Sequence, residues 1–523
     1  MDVARRYVAG VSRIDSLDQK QQLVASAQRS EVYVFGYMAM SALLDSTDNL
    51  AVMKPEDRVT ASDIWAWMQR GKGRSVIDLI QAGENTKLPP MPTTSTQLPA
   101  ADGSSTVASE KSLSAKLDVS LSLEDVRSLA VDYSKTEQGS SMITVDWFIT
   151  SSHIDMIVVD VTGEVHVETL DFTLETAMSY LMRKPVKLRG AADVREWRDA
   201  YLGQAEFLSD VLTSEALSEL EWLVEPLEKH SKPGDLLVFC PSSLLHGIPL
   251  HAVTLSGKAL IERNPIVYTS SLSLMRSCCQ MANKRETAVS RSAVFGVFGK
   301  SGKSNLPKSD EEQKVEAALQ SVSSMLGADV EYGISPEGFI EKCKDQHIIH
   351  YHGHAVLGKA KEARFGQSLV LANAVNGSEL LQWDDAIDDS LLLGDGDELG
   401  RASASARLTA RDMITKLKLS SAHVTLIACN SATQEFSAGD EPQGIIPVLL
   451  LCGATSVLGT LWPILSSDGR EFSESFYASF GRPGSIVNLA RAVQQSVLSM
   501  KAKRPEPIHW AGFVLHGAWF HKC

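Results

Sequence analysis

From about residue 120 onward, short apolar runs of strand length alternate with amphipathic stretches. The runs are "DLLVFCPSS", "SAVFGVFGK", "DQHIIHYHGHA", "HVTLIACNSA" and "GATSVLGTLW". Near-continuous apolar strands separated by helices predict an α/β fold, with a mainly parallel, doubly wound sheet covered on both faces. Ahead of them, "SMITVDWFITSSHIDMIVVDVTGEVHVETL" reads as a run of strands with a turn at Thr162–Gly163. A long helical pattern follows from Arg195 to His230. Residues 1 to about 85 carry apolar positions at helical spacing, with Ser62 or Asp63 as N-cap and Gly83 as stop. Between the two regimes, Lys87 to Lys116 is rich in Pro, Ser and Thr and reads as a linker.

A chain of 523 residues exceeds one compact core. We divide it into a helical segment at 1–86, a linker at 87–118, a first sheet half at 119–290 and a second at 291–523. The net charge of −14 argues against a nucleic-acid surface. No apolar run is long enough to span a membrane. The N-terminus, "MDVARRYVAGVSRID", lacks a secretory h-region, so a cytoplasmic location is expected. Seven cysteines without CxxC spacing suggest neither a disulfide framework nor a zinc knuckle.

In open parallel sheets, chemistry gathers at the carboxyl ends of the strands. Two candidates stand at such ends. The first is "HIIHYHGHA", four histidines from His347 to His354. Alternate residues of a strand share a face, so His350, His352 and His354 could form a metal site, although no further ligands are marked out. A purely structural strand end is the plainer alternative. The second candidate is Cys429, which closes the apolar run "VTLIA" and opens onto Asn430, Ser431 and Ala432. A thiolate needs an imidazole that is close in the fold and free to be distant in sequence. A phosphate loop is excluded in "FGVFGKSGKSN", because Val297 stands where the first glycine of GxxxxGK[ST] is required.

"HIIHYHGHA", "LTARDMITKLKLSSAHVTLIACNSA" and "GIIPVLLLCGATSVLGTLWPI", taken in order, resemble the CHAT family of caspase-like cysteine peptidases, which is associated with tetratricopeptide repeats. "DLLVFCPSSLLHGIPLHAV", "NPIVYTSSLSLM", "NLPKSDEEQKVEAAL" and "HWAGFVLHG" are similar to further landmarks of that family, and "WAWMQRGKGRSVIDLI" resembles a last repeat helix. The resemblance implies a clan CD, caspase-like fold after a short repeat-like helical segment. It implies His352 as base, Cys429 as nucleophile and the backbone N–H groups of Gly353 and Cys429 as oxyanion donors. Ile427 and His354 are placed at the substrate pocket. No metal or other cofactor is implied. The implied activity is a regulated endopeptidase in immunity or programmed cell death. It would have a protein substrate, gasdermin-like proteins among them, and an activating sensor or partner protein. The sequence departs from the family at Ile427, where Ser is common, and at Asn430–Ala432, where Glu-Thr-Gly is common. A catalytically silent scaffold that only binds partners is the alternative. The acidic stretch between the two strand ends, "NGSELLQWDDAIDDSLLLGDGDELGRASASA", reads as a solvated loop or as a flap over the cleft.

Overall fold

The computed structural model describes residues 60–72, 121–137, 139–149, 153–170, 212–285, 291–297, 310–356, 367–371, 407–437, 441–481 and 485–523. The expected Gly83 stop, the 87–118 linker, most of the glycine-rich loop after Val297 and the acidic stretch up to residue 406 lie outside them.

Eleven strands form one sheet. In chain order they are β1 Met142–Ile149, β2 Ile154–Val159, β3 Val165–Leu170, β4 Leu236–Cys240, β5 Ile266–Tyr268, β6 Ser292–Gly296 and β7 Val330–Tyr332. Then come β8 Ile348–His352, a small strand β9 His354–Val356, β10 Ser368–Val370 and β11 Arg407–Thr409; β10 pairs with both β9 and β11 in a separate sheet. The main sheet is completed by β12 Ala422–Ile427, β13 Ala454–Thr460 and β14 Phe513–Gly517. Its order is β3-β2-β1-β4-β5-β14-β13-β12-β8-β6-β7. Pairing is parallel except at β3/β2, β2/β1 and β13/β14. The sheet is therefore the mainly parallel one expected, with an antiparallel hairpin edge and two parallel blocks, β1-β4-β5-β14 and β13-β12-β8-β6-β7, that run in opposite directions and meet at β14/β13.

The apolar runs became strands because they are buried on both faces, β4, β12 and β13 along their whole length. Helices α1 Ala61–Gly71, α2 Leu123–Thr136, α3 Leu272–Lys284, α4 Asp310–Leu326, α5 Ser466–Ala478 and α6 Leu489–Lys503 surround the sheet. Among them α4, α5 and α6 pack in sequence on one another. The long helix expected up to His230 is broken in its described part into Ser214–Ser218, a tight turn at Glu221–Leu223 and Leu227–His230. Pro226, which lacks an N–H, starts the last piece rather than continuing a longer one. Among the described residues no helix is long and apolar enough to cross a membrane.

Helix α1 is capped by Thr60, not by Ser62 or Asp63. Asp63 lies at the third helical position and reaches back to the Thr60 backbone, completing a capping box. The helix buries Ile64, Trp65 and Met68 in the common core. Just past its end, the Lys72 ammonium donates to Asp146 at 3.1 Å and to the Cys240 carbonyl at 2.8 Å. Gln69 donates to the other Asp146 oxygen at 2.9 Å and accepts from the Leu272 amide at the start of α3. Asp146 is fully buried, so its charge depends on this partner. We expect Lys72→Met to destabilise the protein by about 3–5 kcal/mol, and Lys72→Met with Asp146→Leu to recover most of that. Denaturant midpoints for the two variants and wild type decide it; a wild-type midpoint in Lys72→Met would show that the pair is dispensable.

Candidate active site

Strands β8 and β12 are adjacent and parallel, with His350 opposite Thr425 and His352 opposite Ile427. On the other side of β8, the Val297 amide donates to the His352 carbonyl at 3.1 Å. His352 is 8 % exposed and is thus the last strand residue rather than part of the turn. Pairing continues one residue further, because the Gly353 amide donates to the Ile427 carbonyl at 3.0 Å. That bond engages the Gly353 N–H, which the family resemblance had assigned to an oxyanion. The ladder between the two strands ends there, with His352 level with Ile427.

Past Gly353 the chain bends into β9, where His354 pairs with Val370. The Tyr351 hydroxyl fixes this bend: it accepts from the His354 amide at 3.1 Å and lies 2.9 Å and 2.6 Å from the His354 and Val370 carbonyls. A side chain at Gly353 would meet that hydroxyl at 2.6 Å, which accounts for the glycine. Burial pushes His354 down to about 4, so it is a neutral imidazole at working pH.

Cys429 lies two residues beyond β12, half-buried at the start of a turn. Asn430 takes φ +57°, a left-handed conformation that Asn tolerates better than most residues. The turn is pinned to β13 by side chains. The Ser431 hydroxyl donates to the Leu426 carbonyl and accepts from the Thr460 amide at 3.0 Å, and the Thr460 hydroxyl donates to the Ala428 carbonyl at 2.7 Å. Burial pushes the Cys429 thiol up from its ordinary value, opposed by the backbone amides of Ile464 and of Cys429 itself. Cys452, the other half-buried thiol, is pushed up by burial to about 12 and lies 3.3 Å from the Met413 carbonyl. The remaining five cysteines are buried.

The segment that closes the other side of the site begins at the end of the "GTLWPI" stretch, to which the residues alone assign no role in the site. Ile464, between β13 and α5, presents its amide to the thiol. Gly469, in the first turns of α5, lies against the strand ends: a Cβ there would fall 2.5 Å from Ile427 Cγ2, 3.3 Å from Ile464 Cδ1 and 3.8 Å from His352 Cε1. Ile427 is accordingly 2 % exposed and forms a packed contact between sheet and helix. We expect Gly469→Ala to push α5 away, lowering stability by about 1–3 kcal/mol and slowing modification of Cys429. A melting curve and an alkylation rate check this; both unchanged would place Gly469 in open space.

Of the four histidines, His347 accepts from the Arg291 amide at its strand entry and His350 is fully buried. Among the described residues, the group whose ligand atoms converge as a metal would require is Asp160, Glu164 and His166, at the β2–β3 turn rather than in this row. What the adjacent strand ends do assemble is a thiol after β12, the His352 imidazole at the end of β8 and two backbone amides beside the sulfur. That set suits nucleophilic attack on a carbonyl.

A family model described as the CHAT domain matches residues 213–518. Among solved structures, the chain is similar to one in the Saccharomyces cerevisiae separase–securin complex. At 2.6 Å resolution that match has 10% identity and a TM-score of 0.49, and it covers 99% of this chain and 37% of that one. It is also similar to the Arg-specific cysteine proteinase gingipain R, with 11% identity, a TM-score of 0.35, and coverage of 63% of this chain and 74% of that one. The chain thus spans little more than a third of the separase-complex chain it matches. No curated protein matches it.

Proposed function

The chain belongs to the CHAT domain family, whose model covers more than half of it, and from that premise we propose that it is a cysteine endopeptidase acting on a protein substrate. The observation that carries the reading is the placement of Cys429 at the carboxyl end of β12 beside a histidine-bearing neighbour, β8. Cys429 is the nucleophile. The base comes from the His352–Gly353–His354 bend. Family resemblance assigns the role to His352, and its ring lies against Gly469 beside Ile464, whose amide reaches the thiol. The imidazole takes the thiol proton, the sulfur attacks the carbonyl carbon, and the imidazolium returns the proton to the leaving amine. Water then hydrolyses the acyl-enzyme. The amides of Cys429 and Ile464 serve the developing oxyanion; the Gly353 amide does so only if it releases the Ile427 carbonyl. A role in immunity or cell death, with an activating partner and a gasdermin-like substrate, extends this reading by family resemblance.

The test is covalent capture by a panel of peptidyl acyloxymethyl ketones that differ in the residue preceding the reactive carbon. Wild type is compared with Cys429→Ala, His352→Ala and His354→Ala. Capture that persists in Cys429→Ala would remove the reading. A scaffold would take up no probe, with or without candidate partners.

A further inference from the structure

The run "GQSLVL", Gly366 to Leu371, sets a glutamine at the head of a short apolar strand. Gln367 is 8 % exposed, and β10 behind it is buried throughout. A buried primary amide needs partners for both its donor and its acceptor end. Gln367 finds them on two different segments of the chain. Its Nε2 donates to the Thr433 carbonyl at 2.8 Å, and its Oε1 accepts from the Ile445 amide at 2.8 Å. A carbonyl only accepts and an N–H only donates, so these partners fix which way the side chain faces.

Thr433 closes the turn that Cys429 begins. Its amide donates to the Asn430 carbonyl at 3.1 Å, and its hydroxyl donates to the Leu461 carbonyl, just past β13, at 2.9 Å. The turn is thus tied to β13 by its own side chains and to β10 by Gln367. The Ile445 amide opens the helix Ile445–Leu451, and Gly444 before it lets the three groups approach. A Cβ at Gly444 would fall 2.8 Å from Gln367 Oε1 and 3.1 Å from the Thr433 carbonyl oxygen. At its other end β10 meets the histidine bend, where Val370 pairs with His354 and its carbonyl lies 2.6 Å from the Tyr351 hydroxyl. One short strand therefore touches both halves of the site.

We propose that Gln367 is a positioning residue for the nucleophile. Its donation to the Thr433 carbonyl fixes where the turn, and with it Cys429, stands relative to the histidine bend, with β10 as the spacer between them. The proposal rests on the peptidase reading of Cys429. Gln367 acts only through the turn, and a misplacement of about 1 Å at a reacting group costs about 100-fold in rate.

The experiment is capture of Cys429 by a peptidyl acyloxymethyl ketone at pH 8.5, resolved into kinact and KI, in Gln367→Met and Gln367→Glu. Methionine keeps the length and removes both bonds. An ionised glutamate still accepts from the Ile445 amide and has no proton for the Thr433 carbonyl, so it isolates the bond that matters and decides the question should Gln367→Met not fold. The expected result is a kinact lowered about 10- to 100-fold in both, with KI unchanged. The five buried cysteines should stay closed to iodoacetamide below the melting temperature. Lys72→Met, destabilised at a distance from the turn, should keep a wild-type kinact there. A wild-type kinact in Gln367→Glu overturns the proposal. So does a loss accompanied by labelling of the buried cysteines, or an equal loss in Lys72→Met, since either assigns the effect to folding. Capture that persists in Cys429→Ala sinks the peptidase reading whatever Gln367 does, so the two ideas fail separately.

Discussion

Cys429→Ala is expected to abolish both peptide-bond cleavage and capture by electrophilic peptides, a loss of at least about 10⁴-fold in kcat/KM. The substitution removes one sulfur from a half-buried turn and leaves the backbone bonds of Ser431 and Thr460 in place, so folding should be unaffected. Removing the base should cost about 10²- to 10⁴-fold. That penalty is expected in His352→Ala, with a smaller one in His354→Ala; the reverse order would move the role to His354. Because burial holds the thiol above its usual range in the resting protein, alkylation by a small reagent should be slow at neutral pH and rise with pH. A rate already at its plateau near neutrality would mean a preformed thiolate–imidazolium pair instead.

Acid should unfold this protein well above the range where carboxylates titrate. His251, His350, His423, His516 and His521 are buried, and burial pushes each imidazole down, those of His251, His423 and His516 to about 3. In the unfolded chain each takes up a proton near pH 6.5. The neutral forms thus contribute stability that is fully present above about pH 6.5 and is lost as pH falls toward the folded values. With five groups the slope approaches about 7 kcal/mol per pH unit, against a typical total of about 5–15 kcal/mol. Asp160, Glu168 and Asp412, whose partners hold their carboxyls low, add in the same direction at lower pH. Asp468, raised by burial, works the other way as a single group. Denaturation at pH 7.5, 6.5 and 5.5 should show stability collapsing across that range, and a flat profile down to pH 5 would refute the account.

The strand runs were legible because burial on both faces leaves a local mark, unbroken Val, Ile and Leu, and Cys429 could be found as the first residue past such a run. The Thr162–Gly163 turn was readable for a similar reason: Gly163 takes φ +76°. His352 was named by the family motif in "HIIHYHGHA", since spacing alone left all four histidines open. Ile464 and Gly469 were hidden because their role comes from approach to a distant strand end. Lys72 was equally silent, as its partners are Asp146, Trp147, Cys240 and Pro241, far along the chain. Thr60 was overlooked as a cap because Asp63, three residues on, carried the more obvious acidic signal.

Strand β14 separates the block β1-β4-β5 from the block that holds Cys429 and His354, and it pairs with both. It is also the last of the eleven strands to leave the ribosome. Until it emerges, β5 and β13 are open edges and the sheet exists only as two unjoined pieces. A nascent or prematurely terminated chain therefore carries the nucleophile and the imidazoles without the frame that sets them.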